Sequence, residues 1–136
     1  MLGDEIVVAV LKESDVVTAR QKGREVSLRL GFTGSDLTII ATAISEIARN
    51  IVVYAHEGEI ALGPVMIGNR HGISVAARDS GPGIPDIAAA MRDGFSTGIR
   101  SLGLGLPGAK RLMDEFEIQS EVGVGTTVIM RKWLRK

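Results

Sequence analysis

The sequence predicts an α/β (α+β sandwich) fold in which a mixed, largely antiparallel sheet carries helices on one face. Three observations support this prediction. Short β-branched runs are separated by glycine-rich turns at residues 68–72 and 122–125, as in β-hairpins. Residues 35–55 have the apolar periodicity of an amphipathic helix. Alternating β-α units are few, which argues against an all-parallel sheet.

Length and composition indicate a single domain over residues 1–136. Lys plus Arg and Asp plus Glu both number 16, so the zero net charge argues against bulk nucleic-acid binding. The chain has no cysteine and two histidines far apart, so neither a disulfide nor a zinc site is expected. Asp4 and Glu5 stand where a signal peptide would be basic, and we predict no membrane-spanning stretch. These observations predict a cytoplasmic protein with no nucleic-acid or membrane partner.

Strand and helix signals occur along the chain in the order β-α-α-β-β-α-α-β-β. Ser14 is a candidate N-cap of the first helix and Gly31 its closing glycine, while Gly23 argues against one straight helix. The predicted strands cover residues 5–11, 58–67, 72–78, 116–121 and 126–133, and the predicted helices cover residues 15–30, 35–55, 87–92 and 106–116.

The second helix combines an apolar face with two isolated polar residues. Glu46 and Asn50 lie one turn apart beyond a narrow polar wedge, among apolar neighbours. One interpretation is a satisfied surface pair. The other is a cleft wall, in which Asn50 ligates Mg²⁺ and Glu46 is a general base. The residues predicted to face the core are Leu37, Ile40, Ala41, Ile44, Ile47, Ala48 and Ile51.

The stretch Asp79-Ser-Gly-Pro-Gly-Ile-Pro follows a predicted buried strand. A carboxylate at a strand end is placed to accept hydrogen bonds from an amine or amide in a cleft. Gly81 and Gly83 lack a β-carbon, so the backbone there can approach a flat ligand. An ordinary turn remains an alternative, since Asp, Ser, Gly and Pro are the usual turn residues.

Glycines are concentrated between residues 80 and 108, and the segment 94–104 has little tendency toward regular structure, which fits a mobile lid. Gly103-Leu104-Gly105-Leu106 precedes a predicted helix. A glycine-rich turn before a helix N-terminus is a candidate anion site, because free N–H groups point at the ligand. A flexible loop without a ligand is the alternative.

Three motifs occur in order: Glu46-Ile-Ala-Arg-Asn50, Asp79-Ser-Gly81-Pro-Gly83, and Gly103-Leu-Gly105-Leu, with Gly125-Thr126 opening the last strand. Together they resemble the ATP-binding fold of gyrase-type topoisomerases, heat-shock-ninety chaperones, histidine kinases and mismatch-repair ATPases. The resemblance covers nearly the whole chain. Its small size makes it similar to the stand-alone protein-serine kinases of bacterial partner switching, and specifically to the stressosome kinases of the general stress pathway.

The resemblance implies a histidine-kinase-type ATP-binding fold and a role for each motif residue. Asp79 would accept from the adenine amino group, assisted by a water near Thr126, and Asn50 would ligate Mg²⁺. Glu46 would take the proton of the acceptor hydroxyl. The remaining residues implied in nucleotide binding are Gly81 and Gly83 beside the adenine, and Gly103, Leu104, Gly105 and Leu106 around the phosphates.

The resemblance also implies partners. A Mg-ATP-dependent serine/threonine kinase of this kind phosphorylates STAS-domain antagonist and scaffold proteins of the stressosome. Once it is released from the stressosome scaffold, such a kinase binds and activates a serine phosphatase. Two alternatives stay open, namely an anti-sigma-factor kinase and a nucleotide-dependent binding module with little turnover. The Gly-x-x-x-x-Gly-Lys-Ser/Thr phosphate loop is absent, which disfavours a P-loop enzyme.

Overall fold

The computed structural model describes residues 5–55, 57–84, 91 and 105–135. Within these residues, a π-helical turn, Ile51–Ala55, continues the second helix. The strands are β1 (Ile6–Val10), β2 (Gly58–Ile67), β3 (Arg70–Asp79), β4 (Glu115–Glu121) and β5 (Gly125–Trp133), and the helices are α1 (Glu13–Leu30), α2 (Ser35–Asn50) and α3 (Gly105–Leu112).

The described strands form one five-stranded sheet in the order β1-β2-β3-β5-β4. All four neighbouring pairs in it are antiparallel. The predicted α+β architecture with a largely antiparallel sheet is therefore confirmed, and the described part of the sheet contains no parallel pair. The predicted helix over 87–92 lies outside the described residues, apart from Met91.

The core lies between the helices and one face of the sheet. Residues on that face alternate along each strand, for example Ile73, Val75 and Ala77 of β3, as the pleat requires. All seven residues predicted to face the core from α2 and its extension are buried. The helices and the sheet contribute to the same cluster, which places the described helices on that face.

The start of α1 differs from the prediction. The helix begins at Glu13, and Ser14 already lies inside it. The Asp15 carboxylate accepts the Leu11 N–H at 2.8 Å and the Lys12 N–H at 3.2 Å. A side chain inside the first turn thus satisfies the backbone before the helix, and Ser14 is not needed as a cap.

Gly23 does not break α1, contrary to the expectation from its low helix propensity. A β-carbon there would lie 2.2 Å from Ile44 Cδ1 of α2, so glycine permits close helix packing. Gly31 closes the helix as predicted. Its φ of 106° is left-handed, and its N–H donates to Leu28 O at 3.1 Å.

The β2–β3 hairpin is tighter than predicted. β3 begins at Arg70, so Gly68 and Asn69 alone form the turn rather than residues 68–72. His71 belongs to β3 and is exposed, as expected. The hydrogen-bonded ladder between β2 and β3 extends closer to the turn than predicted, because Ile67 pairs with Arg70.

The last helix is shorter than the predicted 106–116. α3 ends at Leu112 because the next residues join the sheet. The Asp114 N–H donates to Arg131 O at 3.0 Å, and Phe116 pairs with Met130 in the β4–β5 ladder. Tertiary pairing therefore overrides the apolar periodicity that predicted a longer helix.

Residues Ser35–Ala55 form a 21-residue helical segment that is long and apolar enough to cross a membrane by length and composition. The prediction that no stretch reaches that length is therefore wrong. Burial inside the domain covers 56% of its most apolar window. Core packing in this fold accounts for the apolar character of the segment.

Replacing Gly72 with alanine is expected to lower the free energy of unfolding by about 1–3 kcal/mol, measured by urea denaturation. The new β-carbon would lie 2.1 Å from Lys132 O and 3.0 Å from Trp133 Cα. Both are backbone atoms of β5, the strand paired with this position, so relief requires displacing a central strand.

Gly63→Ala is the matched control, since it also adds one methyl group inside a strand. Its β-carbon would come no closer than 3.4 Å to Glu5 Cα. The change in unfolding free energy should stay within about 1 kcal/mol and favour the folded state. Equal losses in the two variants would contradict a backbone clash as the cause.

Candidate active site

The candidate site lies at one end of the sheet, on the face that carries the core. Asp79 of β3 pairs with Thr126 of β5, and Thr126 pairs with Ser120 of β4. The three side chains share the face of Ala77 and Val128, which belong to the core, because strand residues two apart point the same way. Asp79, Thr126 and Ser120 are called the polar row below.

The two carboxylate oxygens of Asp79 have different surroundings. Oδ1 accepts the Gly81 N–H at 2.9 Å and the Thr126 N–H at 3.3 Å. The described residues place no hydrogen bond on Oδ2. The first oxygen thus holds the turn against the sheet, while the second is available to accept a hydrogen bond from a ligand amine.

The turn after Asp79 packs closely against its surroundings. A β-carbon on Gly81 would lie 2.6 Å from Cβ of Ala55 in the π-helical turn. Gly83 has a φ of 81°, and its β-carbon would lie 2.5 Å from Glu121 O. Both glycines therefore have a packing reason, and their place beside a flat base stays a prediction.

Glu46 is buried, with 4% of the residue exposed, so the interpretation as a satisfied surface pair does not hold for it. Arg49, one turn further along α2, donates from Nη1 to Glu46 Oε2 at 3.2 Å. Asn50 is half-buried and ends the α-helical part of this segment. Glu46 and Asn50 thus differ in exposure although they lie one turn apart.

A π-helical turn follows Asn50 directly. π-helical segments are rare and frequently occur at functional sites. Here Ile51 of the turn lies next to the first residue of β2, because a β-carbon on Gly58 would lie 3.0 Å from Ile51 Cγ2. Gly58 pairs with Asp79, so the end of α2 and the polar row meet at the same edge of the core.

The predicted phosphate-binding stretch is described only in part. Gly105 is the first residue of α3, and Leu106 is buried in the core. Gly103, Leu104 and the predicted lid over 94–104 lie outside the described residues. The C-terminal end of α3 is anchored because Lys132 Nζ donates to Leu112 O at 3.2 Å.

Lys132 itself is 5% exposed and lies 3.7 Å from the Asp114 carboxylate. Asp114 also accepts the Trp133 N–H at 2.8 Å. A buried amine with a carboxylate and a helix-terminal carbonyl is well satisfied. These contacts fix the C-terminal end of α3 on β5.

The oxygen ligands that this site offers suit a Mg²⁺ ion that is held mainly by a nucleotide. The described residues contain no group of three or more His, Cys, Asp or Glu that could hold a metal ion. Mg²⁺ commonly takes one or two protein oxygens and completes its shell with phosphates and waters. The side-chain oxygen of Asn50 fits such a site.

Two residues in the site were not assigned from sequence. Ser120 had no signal, because its partners become neighbours only through the pairing of β4 with β5. Arg49 was visible as a charge three residues after Glu46, a spacing that allows contact on a helix. Sequence alone did not distinguish this contact from a solvated charge.

Comparison with known proteins agrees with this geometry. The family model described as a histidine kinase-like ATPase domain matches residues 9–132. The chain belongs to the histidine kinase-like ATPase family. The predicted fold and superfamily resemblance are thereby confirmed, and ATP is the nucleotide implied for the domain.

One curated relative is the serine/threonine-protein kinase RsbT of Bacillus subtilis (strain 168), which is 50% identical over 134 residues. The match covers 98% of this chain and 100% of the relative. An anti-sigma F factor of Thermoanaerobacter sp. (strain X514) is 33% identical and covers 78% of this chain and 76% of its own length. The predicted resemblance to the small stand-alone serine/threonine kinases is confirmed at the level of this relative, and the chain is an enzyme, a protein serine/threonine kinase.

A solved structure shows the same fold. The crystal structure of the RsbU and RsbW domains of Rv1364c from Mycobacterium tuberculosis matches with a TM-score of 0.61 and 23% sequence identity. The match covers 96% of this chain and 32% of that one. At this identity the likeness supports the fold and no more.

Gly83→Ala should destabilise the domain more than Gly123→Ala, by about 1–3 kcal/mol in unfolding free energy. Both glycines have left-handed φ values, 81° and 83°, so backbone strain of about 1–2 kcal/mol is common to both variants. Only the Gly83 variant adds a contact with the backbone at Glu121. Among the described residues, nothing lies within 4 Å of a β-carbon on Gly123.

Urea denaturation of the two variants measures the difference. A larger loss for Gly83→Ala would show that the turn after Asp79 is held against the β4–β5 hairpin. The Gly123 N–H, which donates to Pro82 O at 2.9 Å, joins the same turn and hairpin. Indistinguishable losses would mean that backbone strain alone explains both glycines.

Proposed function

We propose that the chain transfers the γ-phosphoryl group of Mg²⁺-bound ATP to a serine or threonine hydroxyl of a STAS-domain antagonist or scaffold protein. The observation that carries this proposal is the buried carboxylate of Glu46, paired with Arg49 and one helical turn before Asn50. Burying a charge is costly, so a carboxylate in this position is better explained by chemistry than by stability.

The polar row binds the adenine end of the nucleotide in this proposal. Oδ1 of Asp79 is occupied by two backbone N–H groups, which leaves Oδ2 to accept from the adenine amino group. Thr126, 8% exposed, holds a water beside the base. Gly81 and Gly83 keep the adjoining backbone close to the plane of the base.

The end of α2 and the start of α3 bind the phosphate end. Asn50 supplies an oxygen ligand for Mg²⁺, which neutralises phosphate charge when it is bound. Backbone N–H groups around Gly103, Leu104, Gly105 and Leu106 hold the phosphates, because the first N–H groups of a helix have no partners within it.

Glu46 accepts the proton of the substrate hydroxyl while the oxygen of that hydroxyl attacks the γ-phosphorus. The bond from phosphorus to the β,γ-bridging oxygen breaks, and ADP leaves with the electron pair. Positioning and charge neutralisation account for most of the rate in phosphoryl transfer. A general base typically adds about 10²–10⁴ in rate.

The proposed partners are those that the resemblance to the stressosome kinases implies, and the 50% identity to the relative named RsbT supports the proposal. Phosphorylation of the STAS-domain scaffold releases the kinase, which then binds and activates a serine phosphatase in a stress-signalling pathway. All of these steps take place in the cytoplasm. Neither nucleic acid nor a membrane takes part.

An anti-sigma-factor kinase is the second candidate, because several relatives at 32–33% identity are named anti-sigma F factor. The two functions differ in the protein that is bound. Capture of a sigma factor by the purified chain, dependent on nucleotide, would favour the second candidate or a binding module with little turnover. The higher identity and fuller coverage of RsbT favour the first.

Glu46→Gln is expected to slow phosphotransfer strongly while nucleotide affinity stays within about threefold. The amide cannot accept the hydroxyl proton, so the rate should fall by about 10²–10⁴. The assay follows label from γ-labelled ATP onto a STAS-domain partner in the presence of Mg²⁺, and titration calorimetry measures ATP binding.

Glu59→Gln is the control, since Glu59 of β2 forms an exposed ion pair at 3.5 Å with Arg78 of β3. It should transfer phosphate at the parent rate, because an exposed pair contributes little. Transfer at an unchanged rate in the Glu46 variant would exclude Glu46 as the base. Absence of transfer in the parent protein, with ATP bound, would favour the binding module.

Asp79→Asn should weaken ATP binding by roughly 10- to 100-fold, the loss expected for a hydrogen bond to a charged group. The asparagine oxygen can still accept hydrogen bonds from the N–H groups of Gly81 and Thr126. The side-chain NH2 group then faces the adenine amino group, so two donors meet and no hydrogen bond forms. Titration calorimetry measures the affinity.

Asp36→Asn is the control, because Asp36 lies in the first turn of α2, at the opposite end from Asn50, and pairs with Arg135 at 3.7 Å. Its ATP affinity should equal that of the parent. An unaltered affinity in the Asp79 variant would remove Asp79 from the adenine site.

A further inference from the structure

The ion pair between Glu46 and Arg49 joins two side chains of unequal exposure near the end of α2. The Glu46 side chain is 4% exposed and the Arg49 side chain is 26% exposed. Arg49 Nη1 donates to Glu46 Oε2 at 3.2 Å, a hydrogen-bond distance. The guanidinium group therefore contacts one defined oxygen of a buried carboxylate.

Helix geometry places Arg49 and Asn50 on opposite sides of Glu46. At about 100° per residue, Arg49 leaves the helix about 60° to one side of Glu46 and Asn50 leaves it about 40° to the other side. Arg49 thus approaches the carboxylate from the side away from Asn50, the proposed Mg²⁺ ligand. The ion pair and the proposed nucleotide therefore lie on different sides of Glu46.

A hydrogen bond to one oxygen fixes the orientation of a carboxylate. The last torsion of a glutamate side chain has a broad distribution, so the side chain itself does not set the direction of its oxygens. A donor at Oε2 selects one orientation, and a positive charge beside the carboxylate favours the ionised form, which is the form that accepts a proton. A general base needs both properties, because it must reach the proton and be able to take it.

We propose that Arg49 is a positioning residue for proton transfer and acts through Glu46. It orients the carboxylate toward the acceptor hydroxyl. The proton of that hydroxyl passes to Glu46, the hydroxyl oxygen bonds to the γ-phosphorus, and ADP leaves with the electron pair of the broken bond. Arg49 stays protonated throughout, because arginine does not lose its proton in proteins. This proposal rests on the proposed function, since it requires Glu46 to be the base.

Arg49→Met removes the donor and the charge and keeps an aliphatic stem. At saturating Mg²⁺-ATP and STAS-domain partner, the rate of transfer should fall roughly 10- to 100-fold, the loss that misplacement of a reacting group causes. The ATP affinity measured by titration calorimetry should stay at the parent value, because Asn50 and Asp79 are unchanged. Arg49→Lys, which can still donate to Oε2 with a positive charge, should transfer faster than Arg49→Met.

A double-mutant cycle tests whether Arg49 acts through Glu46. In a Glu46→Gln background the base is already absent, so Arg49→Met should leave the residual rate of transfer unchanged. Lys22→Met is the matched control, because Lys22 pairs with Glu25 at 3.7 Å with the same three-residue spacing in an exposed part of α1. It should transfer at the parent rate, since an exposed pair contributes little.

The possible results distinguish this proposal from the proposed function. An unchanged or higher rate in Arg49→Met, or equal losses with and without Glu46→Gln, would overturn the role of Arg49 and leave Glu46 as the base. A parent rate in Glu46→Gln, or no transfer by the parent protein, would instead overturn the proposed function. If Arg49→Met does not fold, Arg49→Gln, which keeps a neutral donor, completes the cycle with the same expected dependence on Glu46.

Discussion

Close backbone packing around Asp79 is the constraint on which the site depends. A β-carbon on Gly125 would lie 2.1 Å from Asp79 O, and one on Gly58 would lie 2.4 Å from Arg78 O. The strands on both sides of this strand end therefore need glycine. Because the neighbouring backbone is fixed, the carboxylate can give one oxygen to the turn and to Thr126 and keep the other for a ligand.

The same helix builds the core and carries the candidate catalytic residues. α2 buries its apolar face against the sheet, which stabilises the domain, and its last two turns bring Glu46 and Asn50 to the edge of the core. Arg49 provides a countercharge for a carboxylate that would be costly to bury alone. The π-helical turn that follows then returns the chain to β2 beside the polar row.

Sequence similarity and geometry answer different questions about this kinase. Similarity over nearly the full length of one relative establishes the family and the class of enzyme. The contacts within the site show how individual atoms are held, as in the two oxygens of Asp79, of which Oδ1 accepts two backbone N–H groups.

By itself, the sequence determined the order of the described helices and strands and the core face of α2, and it singled out Glu46, Asn50 and Asp79 as candidates, because periodicity and turn chemistry are local properties of the chain. It could not determine that Glu46 is buried and paired with Arg49, nor that Gly23 packs against Ile44 of α2. Only the tertiary structure decided the end of α3 and the place of Ser120, because strand pairing between distant segments brings those partners together.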